Sequence, residues 1–318
     1  MKAVVVCLGI ALAVGACKKS SPGPGGGGPG GGGTGWLVGT SGLMVNVHAD
    51  GDATGYPLAS TETLNGIACR YAGEAWVVGT HGTLLYTNDA GASWTPQAVP
   101  TSANLRTLAT QDYGPVFVAG DGVFLTSNDT GASWTALGNG TVSFRAVAAA
   151  QQAPTVLALS EDGTLWSFES NQLVNRGSFA GARAIAIAPD GESAILVGDH
   201  LIARSSDGGH SWAPLVSGDA RFDDVRLDED GDAVAVGSAG ALAHISAAGQ
   251  VSLQRIGTAD LHTLHIAEAD EDAGSAAGFA AGDGGQVFIT VDGGLTWRAG
   301  PNVGRTVLGL DQIGVAHR

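Results

Sequence analysis

Lysine is missing from this 318-residue chain after position 19, and no acidic residue occurs before Asp50. The only lysines are Lys2, Lys18 and Lys19, while from Trp36 onward twelve arginines stand against thirty Asp and Glu, a formal charge of −18. A body that acidic repels phosphate backbones, which excludes nucleic acid as a partner. Cysteine is equally scarce. Cys7 and Cys17 fall in the first seventeen residues and Cys69 lies in the apolar run GIAC, where a buried thiol is expected rather than a nucleophile.

The N-terminus has the composition of an export signal. A short cationic start, Met1-Lys2, leads into AVVVCLGIALAVGA, an apolar run of signal-peptide rather than membrane-span length. It ends in VGAC, Val14 to Cys17, which resembles the lipobox of bacterial lipoproteins. That resemblance implies cleavage after residue 16 and acylation of Cys17. It places the protein in the cell envelope, at the periplasmic face or the cell surface, on the outer membrane rather than the inner. Ser20 to Gly35 then contains no apolar and no charged residue, so residues 17–35 read as a lipidated cysteine and a flexible tether of about 20–25 Å. With Cys7 removed and Cys17 modified, Cys69 has no disulfide partner within the chain.

Residues 36–318 are repetitive. A hairpin-like segment (apolar run, Gly-containing turn, apolar run) recurs as WLVGTSGLM, WVVGTHGTLL, FVAGDGVFL, LALSEDGTLW, ILVGDHLIA, VAVGSAGALA and FAAGDGGQVFI. Its anchors are Gly39, Gly79, Gly120, Ser160, Gly198, Gly237 and Gly282, about 40 residues apart. Four short strands per unit at that period predict an all-β fold, a seven-bladed β-propeller with four-stranded blades. The first unit opens on its second strand, and the last segment, RTVLGLDQIGV, is a first strand with nothing after it. A 3+1 closure is therefore expected, the C-terminal strand completing the first blade.

Four units carry a box: TNDAGASW, SNDTGASW, SSDGGHSW and TVDGGLTW. Its shared residues are Asp89, Gly91 and Trp94; Asp129, Gly131 and Trp134; Asp207, Gly209 and Trp212; and Asp292, Gly294 and Trp297. A catalytic centre is unique and faces inward, whereas a motif repeated around a rim is architecture. Asp suits a tight turn by accepting from nearby amides, Gly by adopting positive φ, and Trp by offering an apolar face to the next blade. The box resembles the Asp-box, or bacterial neuraminidase repeat. Joined to its hairpin, as in AWVVGTHGTLLYTNDAGASW, it is most similar to the photosystem II assembly-factor propellers. The resemblance implies a non-enzymatic scaffold that binds protein and carries an arginine patch on one propeller face.

Chemistry finds little foothold. The Arg-Ile-Pro motif of sialidases is absent, and units of 38 to 45 residues leave little loop for a substrate pocket. A sialidase-like, carbohydrate-binding or hydrolysing propeller is the alternative reading. Asp228, Asp230 and Asp232 alternate as in a calcium loop without its later Glu, and His262 and His265 point to opposite faces of a strand, so neither a metal nor another cofactor is expected. One feature exceeds a scaffold: the segment preceding each hairpin begins with Arg106, Arg145, Arg183 and Arg305 in four units and with His262 in another. These read as a basic ring around the channel. Either each arginine pairs with a carboxylate of the next blade, or the ring grips an acidic peptide or a free C-terminus. The expected particle is a monomer that touches the membrane only through its lipid.

Overall fold

The structure, a computed structural model, describes residues 34–311 except 59, 71–72, 139, 216–217 and 268–275. The export signal, Cys17, nearly all of the tether and most of the acidic insertion at 267–278 lie outside the described residues. Twenty-eight strands pair into seven four-stranded antiparallel sheets arranged as the blades of a propeller. Blade 1 combines Val307–Asp311 with Thr34–Gly39, Leu43–His48 and Ala53–Gly55, and Leu37 faces Leu310 across the closing pair. This is the expected 3+1 closure.

Position within a blade explains composition. Second strands such as Val116–Gly120 are buried on both faces and read as unbroken apolar runs. Innermost strands converge on the channel and carry small buried residues there, Ala68, Ala109, Ala148 and Ala186 among them. Outer strands such as Thr95–Pro96 and Val251–Arg255 face solvent.

The apolar core is divided, and each of the seven buried clusters found among the described residues straddles two neighbouring blades. Between blades 1 and 2, Trp36, Val38 and Met44 meet Leu64, Ile67, Val77 and Trp94. Between blades 7 and 1, Phe279, Val287 and Ile289 meet Leu37, Val45, Val307 and Leu310. No blade buries its own faces.

The four boxes fold alike, each between the third and fourth strand of its blade. In the first, the Thr87 hydroxyl donates to Asp89 Oδ1 at 2.7 Å and accepts the Gly91 amide at 3.0 Å. Asp89 also accepts the Ser93 amide at 2.9 Å and the Ser93 hydroxyl at 2.6 Å. Asp129, Asp207 and Asp292 take the same bonds from Ser133, Ser211 and Thr296. Gly91, Gly131, Gly209 and Gly294 have φ of 84–90°. At Gly91 a β-carbon would also lie 2.4 Å from the Trp36 ring of the preceding blade. Trp94 meets that ring edge-on at 5.7 Å, Trp134 packs on the blade 2 cluster, Trp212 on Phe179 and Trp297 on the blade 6 cluster. Each box thus ties its blade to the one before it.

An innermost strand leaves one backbone edge facing the channel, and the preceding blade caps it. Thr107 accepts the Val147 amide at 3.3 Å, Asp224 the Leu264 amide at 2.9 Å, and Asp311 the Cys69 amide at 2.8 Å. Asp311 also pairs with His265 Nδ1 at 2.7 Å, so the closing strand is clasped from blades 2 and 7 at once. Burial opposes ionisation of Asp311, but the charge and hydrogen bond of His265 hold its carboxyl below the usual range.

Two outcomes follow from this packing. Replacing Asp311 by Ala leaves His265 and the Cys69 amide without their partner at the closure, and a loss of about 3–5 kcal/mol is expected in urea unfolding; a variant as stable as the parent would show that the clasp contributes nothing. Acid should loosen the boxes. The Ser93 and Thr87 hydroxyls lower Asp89 from 3.8 to about 2. Its folded value lies below its unfolded one, so its contribution is complete above about pH 4 and disappears as pH falls toward 2. Asp89→Asn should flatten that part of the stability–pH curve.

Candidate functional site

The channel mouth lies at the end of the molecule opposite the boxes, where each second strand stops at its anchor residue. At Gly79 a β-carbon would sit 2.4 Å from the Thr63 carbonyl oxygen, and at Gly120 2.0 Å from that of Asn104. These glycines have extended backbones, so what they permit is the close approach of the chain that enters the innermost strand. Just there the register slips. Leu105 pairs with Gly120 and Thr107 with Ala119, leaving Arg106 as an extra residue in a β-bulge. The same slip occurs in every blade and turns out Asn65, Arg145, Arg183, Asp223, His262 and Leu308.

This register corrects the expected ring. Arg305 is not at the repeat position, which in blade 1 belongs to Leu308. Arg305 stands two residues before the closing strand, exposed, and donates to the Ser41 carbonyl at 2.9 Å. What remains is an arc of three arginines on the adjacent blades 3, 4 and 5, with His262 across the mouth.

Nor is the mouth simply basic, because the residue after the anchor is acidic in four blades: Asp121, Glu161, Asp199 and Asp283. Arg106 Nε donates to Asp121 at 2.5 Å and its Nη1 lies 3.5 Å from Glu161. Arg145 donates to Glu161 at 2.5 Å and to the Ala182 carbonyl at 3.3 Å. Arg183 Nε donates to Asp223 at 2.5 Å. His262 Nε2 lies 2.8 Å from Asp283. Signs alternate around the mouth, and two of the arginines do reach a carboxylate of the next blade.

The arc still faces solvent. The side chains of Arg106, Arg145 and Arg183 are 45, 22 and 32% exposed, against 8% for Asp223, the partner of Arg183. The Arg106 hydrogen bond lowers the Asp121 carboxyl and raises the Arg106 guanidinium, so both stay ionised across the physiological range. Sequence reasoning missed Arg221, which bridges Asp223 and Asp260 at 2.9 and 2.8 Å. The carboxylate that follows four of the anchors is visible in the motifs FVAGD, LALSE, ILVGD and FAAGD.

Other candidate groups are occupied differently. Cys69 is partly buried, and burial together with Asp311 pushes its thiol well above the ordinary range, which removes its nucleophilic character. His262 and His265 have separate partners, Asp283 and Asp311. In the DEDGD turn Asp228 accepts the Asp232 amide at 2.8 Å and Asp232 the Ala247 amide at 2.7 Å, so both carboxylates shape the loop.

No family model matches the sequence, and no curated protein matches it. Solved structures do. YCF48 from Cyanidioschyzon merolae is 18% identical with a TM-score of 0.61, over 79% of this chain and 88% of its own. A structure of YCF48 bound to D1 peptide is 19% identical, also with a TM-score of 0.61, over 85% of this chain and 89% of its own. At such identities the likeness establishes a shared propeller fold.

Proposed function

We propose that this protein is a non-enzymatic scaffold that captures an extended peptide at the channel mouth. The observation that carries the reading is the arc of Arg106, Arg145 and Arg183, set out by one bulge on three successive blades and partly exposed. A guanidinium held through one edge can accept a second carboxylate at another, so a peptide bearing acidic side chains or a free C-terminus is the fitting ligand. Asp121, Glu161 and Asp223 hold the arginines in place between encounters, and a ligand has to compete with them. That competition favours a ligand with several carboxylates over a single ion. The sequence resemblance to photosystem II assembly-factor propellers supports the reading. So does the shared fold with YCF48, a structure of which is bound to D1 peptide. We further propose that the scaffold is lipid-anchored at Cys17 in the cell envelope, on the strength of VGAC and the tether that follows.

Both parts can be tested. Fluorescence anisotropy with an acidic peptide ending in a free carboxylate should show binding that weakens with salt. In Arg106→Gln/Arg145→Gln/Arg183→Gln that binding should fall at least tenfold while the melting temperature stays close to the parent's; undiminished binding, or a variant that unfolds, would make these arginines structural. For the anchor, Cys17→Ala should release the protein from membranes into the soluble fraction after export. Continued dependence on detergent would refute lipidation at that residue.

A further inference from the structure

At the opposite end of the channel from the arginines, blades 3 and 4 present a small polar pocket that the peptide-capture reading does not use. It is an open depression of some 240 Å³ lined by Gln111, Tyr113, Gly114, Gln151, Gln152, Ala153 and Pro154. Two loops form it, each joining the first and second strands of its blade. They are fastened reciprocally: Gln111 Nε2 donates to the Ala150 and Ala153 carbonyls, both at 2.8 Å, and Gln151 Nε2 donates back to the Thr110 carbonyl at 2.9 Å. From behind, Arg70, only 8% exposed, donates to the Gln111 and Gly114 carbonyls at 3.4 and 3.2 Å. Arg70 is itself fixed by Glu74 at 2.6 Å and stacked 4.8 Å over Trp76.

This bracing holds Tyr113 out in solvent. Its relative exposure is 87%, the highest among the exposed large hydrophobic residues of the described chain. A lone exposed aromatic is ordinary. An exposed aromatic on the lip of a pocket lined with carboxamides is a different arrangement, because the two loops that carry it are tied to each other before a ligand arrives.

We infer that this pocket binds a neutral carbohydrate, one sugar ring stacking on Tyr113 while its hydroxyls meet the glutamine carboxamides. Three features select that chemistry. No lining side chain is charged, so nothing there compensates an ionic ligand, and the acidic body repels anions. Gln111 has both amide hydrogens committed to Ala150 and Ala153 and can only accept through its Oε1, whereas the carboxamide of Gln152 can donate as well as accept, which suits hydroxyl groups that do the same. The aromatic face supplies an apolar platform for the C–H face of a pyranose without a deep apolar cavity. A proline-rich peptide is the competing class, but such peptides dock into grooves lined by several aromatic residues, and among the described residues Tyr113 is the only aromatic lining this pocket.

The site is independent of the arginine arc, so it stands or falls separately. Saturation-transfer difference NMR on the parent protein with chitotetraose, cellotetraose and maltotetraose should show transfer to ring protons of at least one, with decaproline and sialyllactose as comparisons. Tyr113→Ala should weaken that binding at least tenfold, Tyr113→Trp should retain it, and Arg106→Gln/Arg145→Gln/Arg183→Gln should leave it unchanged. No transfer to any of the three neutral sugars, transfer to decaproline or sialyllactose alone, or equal binding by Tyr113→Ala at an unchanged melting temperature would each overturn the assignment.

Discussion

Everything in this molecule depends on closing the ring. Because each apolar cluster lies between blades, a blade has both faces buried only when both neighbours are present, and the first and last blades obtain their shared core only when Val307–Asp311 pairs with Thr34–Gly39. A solenoid of the same repeats would leave two such faces open. The closing strand therefore contributes more than four strand pairings: it completes the cluster around Val307 and Leu310, and through Asp311 it caps blade 2 and binds His265 of blade 7. The boxes serve the same end from the rim, each Trp reaching back to the preceding blade.

A second constraint connects the fold to the site. The carbonyl that enters the innermost strand presses on a glycine anchor in six blades, while blade 4 has Ser160 at that position. The bulge that follows sets one residue outside the ladder, and its identity is free to differ between blades: Asn65, Arg106, Asp223 and Leu308 all occupy it over the same backbone. Variation at the channel mouth thus costs the core nothing, which is how a repetitive scaffold carries a site that is not repetitive.

The blade count, the closure and the role of the boxes were legible because they rest on period and composition, which survive in a linear string. Register is not written there so plainly. RTVLGLD begins like RTLATQD, and aligning them by their first residue puts Arg305 in the ring; aligning Val307 with Leu105, each opposite its anchor glycine, puts Leu308 there instead. The alternating charge was missed for a related reason. Asp121 and Arg106 are fifteen residues apart and Arg183 and Asp223 forty, so they become neighbours only through a hairpin in the first case and a blade-to-blade contact in the second. Tyr113 and the glutamines around it carried no signal at all, being loop residues of two units with no counterpart in the others.

Chain direction adds one consequence for the whole particle. Thr34–Gly39 runs from the box end to the channel mouth, since Gly39 abuts the turn at Thr40–Gly42 while Thr34 pairs with His48 beside the outer turn of blade 1. Residues that precede it are therefore joined at the box end. A lipid on Cys17, as proposed, would be joined to the box end and not to the end that carries the arginine arc. The box end also carries the four box aspartates and the DEDGD turn, so anionic lipid headgroups would repel it.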